Sequence, residues 1–117
     1  MKYMLLIYMS ENAMSEAERE QCYKDSTELA IALQANGQYV SANPLQPVAT
    51  ATTVKIRENK RLVTDGPFAE TREQLGGYFL IDAKDLDGAI HVAAKIPAAK
   101  KGTVEIRPVL EIPGLPG

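Results

Sequence analysis

A chain of 117 residues with a net charge of −2, 45% apolar and 24% charged describes one soluble globular domain, residues 1–117. It is long enough for a core without metal or disulfide staples and too short for a second core. Its basic residues never run beyond the pairs Lys60-Arg61 and Lys100-Lys101, which argues against direct nucleic-acid binding, and its single cysteine, Cys22, excludes an internal disulfide or a cysteine zinc site and fits a reducing cytoplasm.

The N-terminal apolar run Tyr3–Met9 is short for a signal-peptide core and far too short for a membrane span, so it reads as a strand. Tyr3, Leu5, Ile7 and Met9 alternate with Met4, Leu6 and Tyr8, and both sets are apolar. A strand with one wet face would alternate apolar with polar, so this one predicts cover on two sides. Ser15 and Glu18 have the spacing of a capping box. Cys22, Ser26, Leu29 and Leu33, widened by Tyr23 and Ala30, recur at helical steps up to Asn36-Gly37. They predict an amphipathic helix of about five turns with a glycine C-terminal cap. Cys22 falls on the buried stripe without a neighbouring base or positive field, which assigns it to packing.

Gln38–Ala42 predicts a short strand, and Pro44 and Pro47 interrupt regular structure beyond it. Residues 50–65 read as a hairpin: Val54 and Ile56 alternate with Thr53, Lys55 and Arg57, and Glu58-Asn59-Lys60 forms the turn. Tyr78–Asp82 is a second strand apolar on both faces. Asp85 is the N-cap of a second helix with Leu86, Ile90 and Ala93 toward the core, ending near Pro97 and Gly102. A last strand, Thr103–Ile112, carries Val104, Ile106, Leu110 and Ile112 on one face, and Pro108 makes it an edge or bulged strand.

These elements form β-α-β, an inserted hairpin, then β-α-β. With short, right-handed connections the simplest solution is an α+β, ferredoxin-like split βαβ sheet with both helices on one face. The doubly apolar strands then need a second copy on the other face, which would close a dimeric α/β barrel.

The candidate site is VTDGPFAETREQLGG, residues 63–77. Pro67 stiffens the bend and holds Asp65 ahead of it. Two compatible readings of Asp65 stand: an Asx-type turn, or a fixed carboxylate serving as base or ligand anchor. Glu70 and Glu73 flank Arg72, and on a helical turn their carboxylates would share a side and could divide acid and base roles. A solvated ion pair is the competing reading. Phe68 plugs the barrel end or caps a pocket. Tyr3, Tyr8 and Tyr78 lie on strands lining the interior, where a hydroxyl orients a ligand or simply packs. Gly76-Gly77 lacks phosphate-loop context and suggests a close backbone approach. His91 reads as a helix-surface residue. Neither a nucleophilic triad nor a metal or cofactor motif can be assembled.

The runs ATATTV at 49–54, VTDGPFAETREQLGGYFLID at 63–82 and GTVEIRPV at 102–109 resemble the DGPF group of the YCII-related family over nearly the whole chain. The resemblance implies a dimeric α+β barrel and leaves the reaction open, because related barrels host isomerases, dehalogenating enzymes and monooxygenases. For the wider family it implies an active-site histidine paired with an aspartate near the first helix. Residues 10–36 contain no histidine, so that role is not carried over. Two functional readings remain. One is a cytoplasmic homodimer binding a small molecule through Asp65, Phe68, Glu70, Arg72 and Glu73, with acid-base catalysis as an option. The other is a non-catalytic accessory protein whose loop is an interface, since some relatives occur beside alternative sigma factors.

Overall fold

The computed structural model describes residues 1–117. Strand β1 (Lys2–Met9) is central, flanked by β5 (Gln74–Asp82) and β6 (Thr103–Pro108), with β2 (Tyr39–Pro44) outside β5. The order β2-β5-β1-β6, antiparallel throughout, is consistent with a ferredoxin-like fold. Helices α1 (Glu16–Ala35) and α2 (Leu86–Ala93) both cover the face that carries Tyr3, Leu5, Phe79 and Ile81. Leu5 and Ile81, with Ile96 from the turn after α2, are the largest side chains wholly withdrawn from solvent.

Ser15 caps α1 as its spacing predicts. Its hydroxyl accepts from the Glu18 N–H at 3.2 Å, and Glu18 Oε1 accepts from the Ser15 N–H at 3.1 Å. The far end closes with a Schellman pair, Gln38 N–H to the Leu33 carbonyl and Gly37 N–H to the Gln34 carbonyl. The stripe is narrower than expected: Cys22, Leu29 and Ala30 pack on the core, whereas Tyr23 is exposed. Burial pushes the Cys22 thiol up, only partly opposed by a hydrogen bond to Ser26, which suits packing rather than attack.

Two patterns are corrected. In α2, Ala89, Val92 and Ala93 are buried while Leu86 and Ile90 are about half exposed. Small residues on the inner face let a short helix sit close to the sheet, which rotates the larger ones outward. The last strand ends at Pro108, leaving Leu110 and Ile112 exposed. Lacking an N–H, Pro108 closes an edge strand, as its chemistry requires.

The expected hairpin is present as β3 (Thr52–Arg57) and β4 (Lys60–Asp65), a separate two-stranded sheet. Its turn has two residues rather than three. Glu58 and Asn59 both take positive φ, 50° and 63°, the signature of a type I′ turn. Apart from Thr53, every residue of both strands is exposed. The hairpin is an arm, and it makes the molecule wide and thin, 47 × 43 × 19 Å. The radius of gyration is 16.0 Å, against about 13 Å for a compact chain of this length.

The sheet face turned away from the helices carries Met4, Leu6, Tyr8, Tyr78 and Leu80, all half-buried. Their cross-strand pairing, Met4 with Leu80 and Leu6 with Tyr78, places them on one surface.

Candidate functional site

At the end of the sheet where β1 finishes and β5 begins, a cleft of about 540 Å³ opens, lined chiefly by Tyr8, Leu45, Val48, Pro67, Phe68 and Leu75. Three local devices shape it. Gly66 has φ 103°, a conformation that side chains rarely adopt. Its N–H donates to the Ala51 carbonyl at 2.8 Å, and its carbonyl accepts from Thr53 Oγ1 at 2.8 Å. These bonds tie the root of the arm and set where Pro67 turns the chain. On the opposite wall, Gly77 lets β2 come close: a Cβ there would stand 3.0 Å from the Asn43 carbonyl oxygen and 3.1 Å from the Pro44 Cα. This is the close approach read from the paired glycines. The Leu45 N–H then donates to the Gly76 carbonyl at 2.8 Å, and Glu11 Oε2 accepts from the Val48 N–H at 2.8 Å, holding the third wall.

Polar groups gather on one side. A shallow groove of about 450 Å³ adjoins the cleft, lined by Tyr8, Thr71, Glu73, Thr103 and Glu105. Tyr8 and Thr71 belong to both recesses. Thr103 Oγ1 donates to Glu73 Oε1 at 2.8 Å, which fixes that carboxylate and leaves its second oxygen without a hydrogen bond. Thr71 Oγ1 donates to the Glu73 carbonyl at 2.6 Å, and Gln74 Nε2 donates to the Thr71 carbonyl at 2.8 Å. That bond orients the Gln74 amide and leaves Gln74 Oε1 enclosed without a donor, a cost of about 1–3 kcal/mol for a buried acceptor.

The residues singled out from sequence are distributed unevenly. Phe68 lines the cleft, is 77% exposed and sits beneath the Lys55 ammonium, 5.1 Å from its ring centre; it caps a recess and is no core plug. Glu73 reaches the groove. Asp65 is exposed and its carboxylate makes no hydrogen bond, so the bend is held by Gly66 and Thr53 instead of an Asx turn. Glu70 and Arg72 are exposed without hydrogen bond or ion pair, and residues 66–73 contain no helical turn; the premise that would align Glu70 with Glu73 is not met. Tyr3 lies under the helices, 3% exposed, its hydroxyl donating to Met1 Sδ at 3.7 Å. Tyr78 lies on the opposite face, one row in from Tyr8. Its hydroxyl is 3.0 Å from Ser41 Oγ and accepts from Asn43 Nδ2 at 3.1 Å. The Ser41 bond, then the Asn43 bond, hold this phenol below its usual range. His91 is exposed.

Sequence reading missed Thr71, Gln74, Thr103 and the Leu45–Val48 wall. Thr103 meets Glu73 from 30 residues away, and nothing local to either position marks the pair. Gln74 had a local signal: a polar residue opening an otherwise apolar strand.

The model of the YCII-related domain family matches residues 1–113 of this chain. An uncharacterised protein of Rhizobium meliloti (strain 1021) is 37% identical over 117 residues, spanning 93% of this chain and 92% of that protein.

Proposed function

This chain belongs to the YCII-related family, and from that premise we propose that it is a homodimer of the DGPF group that binds a small molecule in the cleft at the sheet end. The observation that carries this reading is the pairing of an apolar recess with one oriented carboxylate. Ligand sites are typically concave, mostly apolar and fitted with few polar groups, and this cleft has a size in that class. Apolar atoms of a ligand pack between Phe68, Leu75 and Val48. The free oxygen of Glu73 accepts from a ligand hydroxyl or amine, with the Tyr8 hydroxyl as second contact. If the protein is an enzyme, Glu73 is its base: Thr103 holds the carboxylate still, and the unbonded oxygen takes the proton. Asp65, at the end of β4, and Glu70, in the loop that follows, line neither recess, and their part in this reading is secondary. The dimer is supported by the apolar centre of the open sheet face, Met4, Leu6, Tyr8 and Leu80, which neither helix covers and which Glu105 and Arg107 border on β6.

The test is thermal-shift screening of a metabolite collection, followed by Glu73→Gln, which keeps an acceptor for Thr103 and removes the charge. Binding that falls at least about tenfold (about 1.4 kcal/mol) with an unchanged melting temperature supports the reading. No ligand-induced shift in the wild type, or equal affinity in the variant, defeats it.

A second reading, a non-catalytic interaction protein with the loop as its interface, draws on Glu70 and Arg72, both exposed and unpaired within the chain. It predicts a co-purifying protein that is lost when both are replaced by alanine.

A further inference from the structure

We infer that the β3–β4 arm is a clasp: its apolar face packs against a second copy of this chain and supplies much of the dimer interface. This rests on the homodimer reading above and specifies which surface holds the dimer together.

The arm has two faces. Residues directly opposed in an antiparallel pair point the same way, so the register Val54 with Val63 and Ile56 with Arg61 gathers Val54, Ile56 and Val63 on one side, with Arg61 toward the tip and Asp65 at the root. Each of the three is 58% exposed. The other register pairs, Lys55 with Leu62 and Arg57 with Lys60, put three cations on the opposite side, where Lys55 lies over Phe68. An isolated two-stranded ribbon is at best marginally stable in water, and within the chain this one has only its tied root and the Lys55–Phe68 contact. An apolar stripe on such a ribbon calls for a partner surface.

Charge and area both select a second copy. The arm, Thr52–Asp65, holds Lys55, Arg57, Lys60 and Arg61 against Glu58 and Asp65, a net +2. The whole chain carries −2, so the remaining body carries −4. Each arm is therefore attracted to the body of another copy, whereas the same body repels nucleic-acid phosphates. For area, the four strands of the sheet, six to nine residues long, present a flat face of only about 470 Å². A stable interface buries about 800 Å² of accessible surface on each partner. One face of the arm adds about 200 Å² of flat surface, some two-fifths as much again. The arm is also contiguous with the sheet's open face: Ala51 at its root and Tyr8 from the sheet line the same cleft.

The experiment compares the full-length wild type with Val54→Asp/Val63→Asp by sedimentation equilibrium across a concentration series. Both positions are exposed in the protomer, so monomer circular dichroism and melting should stay unchanged. The expected result is a dimer weakened by on the order of 100-fold, with the wild-type dimer itself loosening as salt rises. A variant that dimerises as tightly as wild type overturns the clasp and leaves the dimer reading standing. A wild type that is monomeric throughout removes the dimer reading itself. A variant that dimerises normally but loses retention on a DNA duplex reassigns the arm to nucleic acid.

Discussion

The helix-covered side of the main sheet and the β3–β4 arm are built from the same kinds of residue and have opposite fates. Leu5 and Ile81 are wholly withdrawn from solvent, while Val54, Ile56 and Val63 are each more than half exposed. Both regions alternate side chains with period two, and both are rich in β-branched and apolar residues. Their burial differs because α1 and α2 return over one face of the main sheet and nothing in the chain returns over the arm. Strand-forming chemistry is thus separate from core membership, and the difference can be broken or sharpened by substitution.

The largest effect belongs to the core. Leu5→Ala should lower the unfolding free energy by about 2–5 kcal/mol, the range for a buried leucine that leaves a cavity, measured by urea denaturation. Next is the hinge between the two regions. Gly66→Ala forces a side chain into φ 103° and should cost about 1–3 kcal/mol, while also loosening the arm's root, visible as faster exchange of the position-66 amide that bonds the Ala51 carbonyl. Ser15→Ala removes one half of the α1 capping box and should cost about 1 kcal/mol. On the arm, Val63→Ala in dilute protein should change stability by less than about 0.5 kcal/mol. A loss there comparable to that of Leu5→Ala would mean the arm is core after all.

A finer contrast comes from pH. A bond from Lys101 Nζ at 2.6 Å, followed by the Ser15 backbone and side chain, lowers the Glu18 carboxyl from 4.5 to about 2. A folded-state pKa below the unfolded one gives stability that is present above 4.5 and is lost as pH falls from 4.5 through about 2. Because the pair is solvent-exposed, the effect should be small and weakened by salt. Glu18→Gln should flatten that part of the pH–stability curve.

Much of the fold was legible because local chemistry carried it. The capping box at Ser15, the doubly apolar β1 and β5, the cap at Asp85 and the edge position of Pro108 each arise from neighbouring residues alone. The inner face of α2 was not legible. Leu86 and Ile90 have the correct spacing for a buried stripe, but so do Ala89, Val92 and Ile96, and only the sheet beneath selects between them. The candidate cleft lies beside the loop singled out from sequence, but its lining was less legible. Phe68 and Glu73 were named, whereas Asp65, Glu70 and Arg72 were singled out by charge and proximity in a loop that turns them to solvent. Tyr3 and Tyr78 looked equivalent on paired strands, yet the pleat sends them to opposite faces.

The residues themselves determined which segments become strands and helices, where those end, and that Gly66-Pro67 bends the chain, because these depend on backbone sterics and hydrogen bonds spanning a few positions. Tertiary structure decided which apolar face meets a helix, that the hairpin stands apart as an arm, and that Thr103 reaches Glu73. Those outcomes depend on contacts between distant segments, whose closure no local pattern records.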